Sequence, residues 1–209
     1  MKIIVFGASG RTGQEVVRQA LEQGKSVTAF VRSPQKLQID LPSKGNGELH
    51  IVQGNALDPA AVSRAIEGQD SVVSCLGTRG FSRGKTISEM TANLIAGMQQ
   101  HRVERIGYVA SAGIYREIPG LTGFLAQLLL RQVLADHRRA ADALEASGLQ
   151  WTIARPLQLM NGRLRGEYLE ARHGVPSGKG RISRADVAHF LLRTLKDATY
   201  VNQSVALSY

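Results

Sequence analysis

The sequence is poor in cysteine, with Cys75 alone among 209 residues. No internal disulfide can form, so the fold must rest on its apolar core, and a reducing compartment, the cytoplasm, is the expected setting. Aromatic residues make up only 5% of the chain. That argues against a base-stacking surface for nucleic acid. Long apolar runs are missing too. The most apolar late stretch, Phe124 to Leu130, is interrupted by Gln127 and is too short to span a bilayer. The opening run, MKIIVF, is too short for a signal peptide and is needed as a strand. Acidic residues are in deficit, 17 against 26 Lys and Arg, for a net charge of +9. The basic residues are scattered, with no run beyond Arg138-Arg139. Such an excess suits an anionic small ligand or a general surface charge; nucleic acid and membrane are not expected partners.

What is present is ordinary for a globular chain: 43% hydrophobic and 21% charged residues, at a length that suits one domain, residues 1–209, with a sizeable core. The organising stretch comes first. MKIIVF is rich in β-branched residues and is followed at once by Gly7-Ala8-Ser9-Gly10-Arg11-Thr12-Gly13. Val16, Val17, Ala20 and Leu21 then fall at helical spacing, closing at Gly24. Strand, glycine turn and helix stand in the order a dinucleotide site requires. Gly7 lets the chain turn out of the strand, Gly10 removes a Cβ where a pyrophosphate must approach, and Gly13 lets helix and strand pack closely. The free N–H groups of the first helical turn, with the helix dipole behind them, then face the phosphates. The spacing is GxxGxxG rather than the commoner GxGxxG.

The second strand, SVTAFV from Ser26 to Val31, ends at Arg32-Ser33-Pro34-Gln35-Lys36. An acidic residue there would bind the adenosine 2′-hydroxyl and favour NAD. None is present. Arg32, with Ser33 beside it and Lys36 nearby, suits a 2′-phosphate and so NADP(H), although Arg and Lys are also common on a solvated loop. A third strand, Leu49 to Gln53, leads to Gly54-Asn55-Ala56-Leu57-Asp58. Asn55 can offer its amide to a base edge and Ala56 a backbone N–H. Asp58 is expected to cap a helix over Pro59–Ile66. His50, inside the strand, is read as structural.

The fourth strand, Ser71 to Leu76, is nearly continuous in apolar residues, as a central parallel strand should be. Its carboxyl end, Leu76-Gly77-Thr78-Arg79, falls where such sheets bind ligands. Cys75 reads as a small core hydrophobe. Ser82, Lys85 and Thr86 border the same mouth, and a helix is expected over Thr86–His101. The fifth strand, Arg105 to Ser111, closes in Ser111-Ala112-Gly113. A Tyr-x-x-x-Lys pair, whose lysine would lower the tyrosine pKa, is absent: Tyr108, Tyr115, Tyr168 and Tyr200 are followed four residues later by Ala112, Pro119, Arg172 and Ser204. Alcohol–ketone chemistry through a tyrosinate is therefore not expected.

A loop is expected over 115–123, then a leucine-rich helical region and a helix over 135–147 closed by Gly148. The sixth strand, Gln150 to Ala154, precedes Arg155-Pro156-Leu157-Gln158-Leu159. Residues 166–182 read as a hairpin or extended loops. Ser183 caps a last helix with Asp186 at its third position, and Ser204 to Leu207 forms a final strand. No internal repeat or low-complexity segment is seen. The alternation of strands and helices gives an α/β class: one Rossmann-type, doubly wound, mainly parallel sheet with helices on both faces.

In order along the chain stand GASGRTG, VRSPQKL, CLGTRG, VASAG, SGLQWTIARP and SRADVAHFLL. Over nearly its whole length the chain resembles the atypical short-chain dehydrogenase/reductases of the NmrA-like, NAD(P)-binding group, and within it the biliverdin-IXβ reductase or flavin reductase (NADPH) branch. The resemblance implies an NADPH-dependent reductase of flavins and linear tetrapyrroles, acting as a monomer on a planar or anionic small molecule. It implies that Gly7, Ser9, Gly10, Arg11, Thr12 and Gly13 hold the pyrophosphate, Arg32 and Lys36 the 2′-phosphate, and that Asn55 and Ala56 flank the adenine. Leu76, Gly77, Thr78 and Arg79 would meet the central cofactor. Ser111, with Ala112, would sit by the nicotinamide as the catalytic residue, backed by Pro156 and Leu157. Substrate loops are expected at about 113–135 and 156–182. The chain departs from the branch at Gln158, where the branch carries a histidine; glutamine hydrogen-bonds but cannot act as an acid. Arg79, Arg116 and Arg131 are candidate anion contacts. The alternative, from the same group, is a non-catalytic NADP-binding sensor or assembly protein. A nucleotide-sugar epimerase is a weaker third reading, since it too needs the tyrosine and lysine.

Overall fold

The computed structural model describes residues 1–39, 46–77, 86–118 and 120–209, except the side chains at 121, 122 and 125–127. The first half alternates strand and helix: β1 (Lys2–Phe6), α1 (Arg11–Glu22), β2 (Ser26–Val31), β3 (Glu48–Gln53), α2 (Pro59–Ile66), β4 (Ser71–Ser74), α3 (Thr86–His101) and β5 (Arg105–Val109). The second half has α4 (Gly120–Glu145), β6 (Gln150–Pro156), β7 (Gln158–Met160), β8 (Leu169–Ala171), β9 (Arg181–Ser183), α5 (Arg184–Thr194) and β10 (Gln203–Ser208).

The main sheet has eight strands in the order β3-β2-β1-β4-β5-β6-β10-β8. All its pairings are parallel except the edge strand β8, which runs antiparallel to β10. The order reverses beside β1, between β1 and β4, which places a crevice at their carboxyl ends. The doubly wound expectation is met.

The period of two along β1 builds both layers. Ile4 and Phe6 join the core under α2, α3 and α4, and Ile3 and Val5 join the core under α1 and α5. All four are fully buried, and each such side chain contributes roughly 1.5–3 kcal/mol of transfer free energy. Caps fix the helix starts. Asp58 Oδ1 accepts from Ala60 N at 3.0 Å and Ala61 N at 3.2 Å, as expected. The start of α3 is capped from another helix: Asp136 of α4 accepts from Ile87 N at 2.8 Å and Ser88 N at 3.2 Å.

The sequence expectation fails at α4. Gly120–Glu145 is one continuous helix, where a loop to residue 123 and two helical pieces are expected. Phe124, Leu128 and Leu129 are 65%, 64% and 66% exposed, so the stretch carries no one-sided apolar stripe to announce it. Of the two readings of residues 166–182, a hairpin or extended loops, the second fits: two short strands lie in irregular chain and do not pair with each other. β8 joins β10 at the sheet edge, while β9 pairs in parallel with β7, far back in sequence. Pairing of that range leaves no local turn signal.

Candidate dinucleotide site

The chain leaves β1 through Gly7 at φ +75, and a Cβ there would lie 2.5 Å from the Cys75 carbonyl oxygen of the neighbouring crossover. Gly7 O accepts from Gly10 N at 2.9 Å, closing the turn. A Cβ on Gly13 would lie 2.2 Å from Gly7 O. The glycine that allows close packing is therefore Gly13. Gly10 stands at the N-cap of α1 in an extended conformation, and no side chain caps this helix. Its first N–H groups are left for a ligand.

These residues open onto a cleft of about 780 Å³ at the switch point. Of the residues expected at the phosphates, Gly7, Ser9, Gly10, Arg11 and Thr12 line it. So do Arg32 from the end of β2, Asn55 and Ala56 after β3, and Leu76 and Gly77 after β4. Asn55 is braced by its own turn, Oδ1 accepting from Leu57 N at 3.2 Å. Ala56 is held through its carbonyl, which accepts from Asn93 Nδ2 at 2.9 Å. Lys36 and Ser33 do not line the cleft. Ser33 opens a short 3₁₀ turn, Pro34–Lys36. Thr78, Arg79, Ser82 and Lys85 lie outside the described residues.

Several lining residues escape the sequence reading. Phe30 and Met90 supply apolar walls, and Arg184 reaches in from the start of α5. Cys75 also lines the cleft, one residue past β4, and burial pushes its thiol up to about 12. It is an inert wall rather than a nucleophile. Gln14 is a brace: its Nε2 donates to Ser9 O at 3.1 Å and Lys36 O at 3.4 Å, tying the glycine turn to the loop after β2.

Ser111, Ala112, Pro156 and Leu157 are absent from the lining of this cleft but are brought together beside β5 and β6. Ala112 N donates to Pro156 O at 3.0 Å, and Ser111 Oγ to Ala112 O at 3.0 Å. Gln158 starts β7, its side chain exposed and its N–H donated to Gly180 O at 3.1 Å. Arg116 is exposed at φ +58, away from the cleft lining.

The arrangement suits an anionic, elongated ligand: donor N–H groups and the three guanidiniums of Arg11, Arg32 and Arg184 for phosphates, and an amide and apolar walls for a ring. Comparison with known proteins agrees. A family described as NAD(P)H-binding matches residues 7–198. An uncharacterised chloroplastic protein of Arabidopsis thaliana is 28% identical over 203 residues, 93% of this chain and 71% of that one. Photosystem II assembly factor Ycf39 of Synechocystis is 30% identical over 125 residues, 57% of this chain and 37% of that protein. Among solved structures, a Rossmann-fold NAD(P)-binding family protein from Shigella flexneri is 28% identical with a TM-score of 0.77, covering 99% of this chain and 92% of that one. ChuY, an anaerobillin reductase from Escherichia coli O157:H7, shares the fold at 20% identity, with a TM-score of 0.79 and coverage of 99% and 96%.

Proposed function

The chain belongs to the NAD(P)H-binding family, and from its cleft we propose that it is an NADPH-dependent reductase passing hydride to a planar acceptor, a flavin or a linear tetrapyrrole. The observation that carries the reading is Arg32 on the wall of the same cleft as the glycine turn. At the end of β2, where a carboxylate would serve a ribose hydroxyl, a guanidinium serves a 2′-phosphate.

A bound nicotinamide supplies the hydride. The chain's part would be placement: the α1 N-terminus and Arg11 would hold the diphosphate, Asn55 and Ala56 would meet the adenine, and the Ser111–Ala112 turn, pinned to Pro156 beyond the cleft lining, would back the reacting ring. Ser111 is the positioning hydroxyl for the acceptor. Hydride arrives on the acceptor as two electrons and one proton's worth of hydrogen, and the remaining proton comes from water. This suits a chain without a Tyr-x-x-x-Lys pair and with Gln158 in place of an acid. The name of the Escherichia coli neighbour, a reductase of an anaerobillin, is consistent with an acceptor of tetrapyrrole type.

The test is NADPH oxidation followed by absorbance with FMN, FAD or biliverdin, with NADH as control. Turnover that prefers NADPH, and falls in Ser111→Ala, is the expected result. Tight NADPH binding with no turnover on any acceptor would replace it with the second reading, a non-catalytic NADPH-binding assembly protein. That reading draws on the 30% identity to the photosystem II assembly factor over 125 residues.

A further inference from the structure

Arg184 stands at the first position of α5, and its side chain lines the same cleft as Arg11 at the first position of α1. The two helices pack side by side on one face of the sheet, Gln19 Nε2 donating to Ala185 O at 2.8 Å. Both guanidiniums belong to the lining of one cleft, and Arg184 is disfavoured as a cation first by burial and then by the charge of Arg11. Arg18, Arg138, Arg139, Arg155 and Arg193 each have a carboxylate partner. Among the described residues neither Arg11 nor Arg184 has one. The recorded partner of Arg184 is neutral, Asn161 Oδ1 at 2.9 Å. Two cations on one cleft, without a carboxylate partner among the described residues and beside an uncapped helix N-terminus, are complementary to a doubly charged anion.

Resting on the dinucleotide reading above, we propose that Arg184 is a second ligand of the cofactor's diphosphate, alongside Arg11. The backbone that carries it is rigid. Ser183 Oγ caps α5 by accepting from Asp186 N at 3.0 Å, and the buried Asp186 carboxylate accepts from Arg165 N at 3.0 Å and Gly166 N at 2.8 Å. The guanidinium is therefore presented from a fixed base, and its loss should be felt in binding rather than folding.

The experiment measures dissociation constants for NADPH and NADH, and competition by inorganic pyrophosphate, in the wild type, Arg184→Gln, Arg184→Lys and Arg32→Gln. Arg184→Gln should weaken both dinucleotides and pyrophosphate by about tenfold, the worth of one charge-assisted hydrogen bond. The NADPH-to-NADH ratio should stay as in the wild type, whereas Arg32→Gln changes it. Arg184→Lys should recover part of the affinity. Asn161→Ala, which removes the protein partner and leaves the guanidinium, should bind NADPH as the wild type does. A loss in Asn161→Ala equal to that in Arg184→Gln would make Arg184 a structural residue and overturn the proposal. Wild-type dinucleotide affinity in Arg184→Gln would overturn it too, and a raised KM for the acceptor alone would assign the residue to the substrate instead. Wild-type protein that binds neither dinucleotide would sink the cofactor reading itself, a result distinct from either.

Discussion

The Arg155 guanidinium and the Glu117 carboxylate form an ion pair inside the protein, with side chains 2% and 7% exposed. Arg155 lies at the end of β6, beside Pro156; Glu117 lies in the turn that follows Ser111 and Ala112. Arg155 Nε also donates to Ser204 Oγ of β10 at 2.9 Å, and Nη2 to Arg172 O at 3.3 Å. Tyr115 covers the pair, its ring centroid 5.1 Å from Arg155 Cζ, and its N–H donates to Glu117 Oε2 at 3.0 Å. One buried cation thus fastens the turn after Ser111 and Ala112 to two strands and a distant loop.

Removing the carboxylate leaves that cation without its counter-charge in a dry site. Glu117→Ala should cost about 3 kcal/mol or more of folding stability, read as a lower urea midpoint. Glu117→Gln keeps an acceptor oxygen and should lose less. A midpoint for Glu117→Ala matching the wild type would show that the pair contributes nothing.

Two glycines separate strain from collision. Gly24 has φ +70 and open space around its Cβ position. Gly24→Ala should cost about 1–2 kcal/mol, the ordinary penalty of a left-handed residue, and leave cofactor affinity intact. Gly13 has no such strain, but its Cβ would strike backbone: Gly7 O at 2.2 Å and Ala8 Cα at 2.8 Å. Gly13→Ala must push α1 off β1, so it should lower NADPH affinity far more than Gly24→Ala for a comparable drop in melting temperature. Equal affinities in the two variants would refute the close-packing role.

The legible parts of this chain are those whose signal is local. α2 and α3 run as read from Asp58 and from the spacing of Ile87, Met90, Leu94 and Met98. The glycine turn, Arg32, Asn55 and Ala56 could be placed on one cleft because a parallel sheet brings the ends of successive strands together. Arg184 and Phe30 were hidden for the opposite reason. They reach the cleft through packing between α5 and α1, or by pointing sideways from a strand, and no spacing in the sequence records either. Nor does the sequence distinguish Arg155, which looks like another surface arginine until β10 and the turn at Glu117 close over it.

Arg32 gives the sharpest test of cofactor choice. On the proposed reading, its contact with the cofactor would be to the one group NADH lacks. Arg32→Ala should weaken NADPH binding by about tenfold or more, the range for hydrogen bonds to charged groups, and leave NADH nearly unchanged. Parallel titrations with both dinucleotides decide it. Equal losses for both would move Arg32 from the 2′-phosphate to a general electrostatic role.

His137 makes stability depend on pH from within the core. It is 8% exposed, its Nδ1 lies 3.2 Å from the hydroxyl of the fully buried Tyr108, and burial drives its pKa down to about 4 against the opposing pull of Asp136. An unfolded histidine titrates near 6.5. Below that pH the unfolded chain takes up a proton that the folded chain refuses, so stability falls as pH drops from 6.5 toward 4 and levels off below it. The loss can reach about 3 kcal/mol across the window. His189, also depressed by burial, pulls in the same direction. Asp136 and Asp186 are both held below the usual carboxylate value of 3.8, so their contributions are lost only at lower pH. His137→Gln removes the titration while keeping an amide for Tyr108. Its urea stability should therefore change less than that of the wild type between about pH 7 and pH 4.5, with the curves converging at the acid end. Parallel curves across the window would mean that His137 takes up its proton as readily in the folded chain as in the unfolded one, which would refute its lowered pKa.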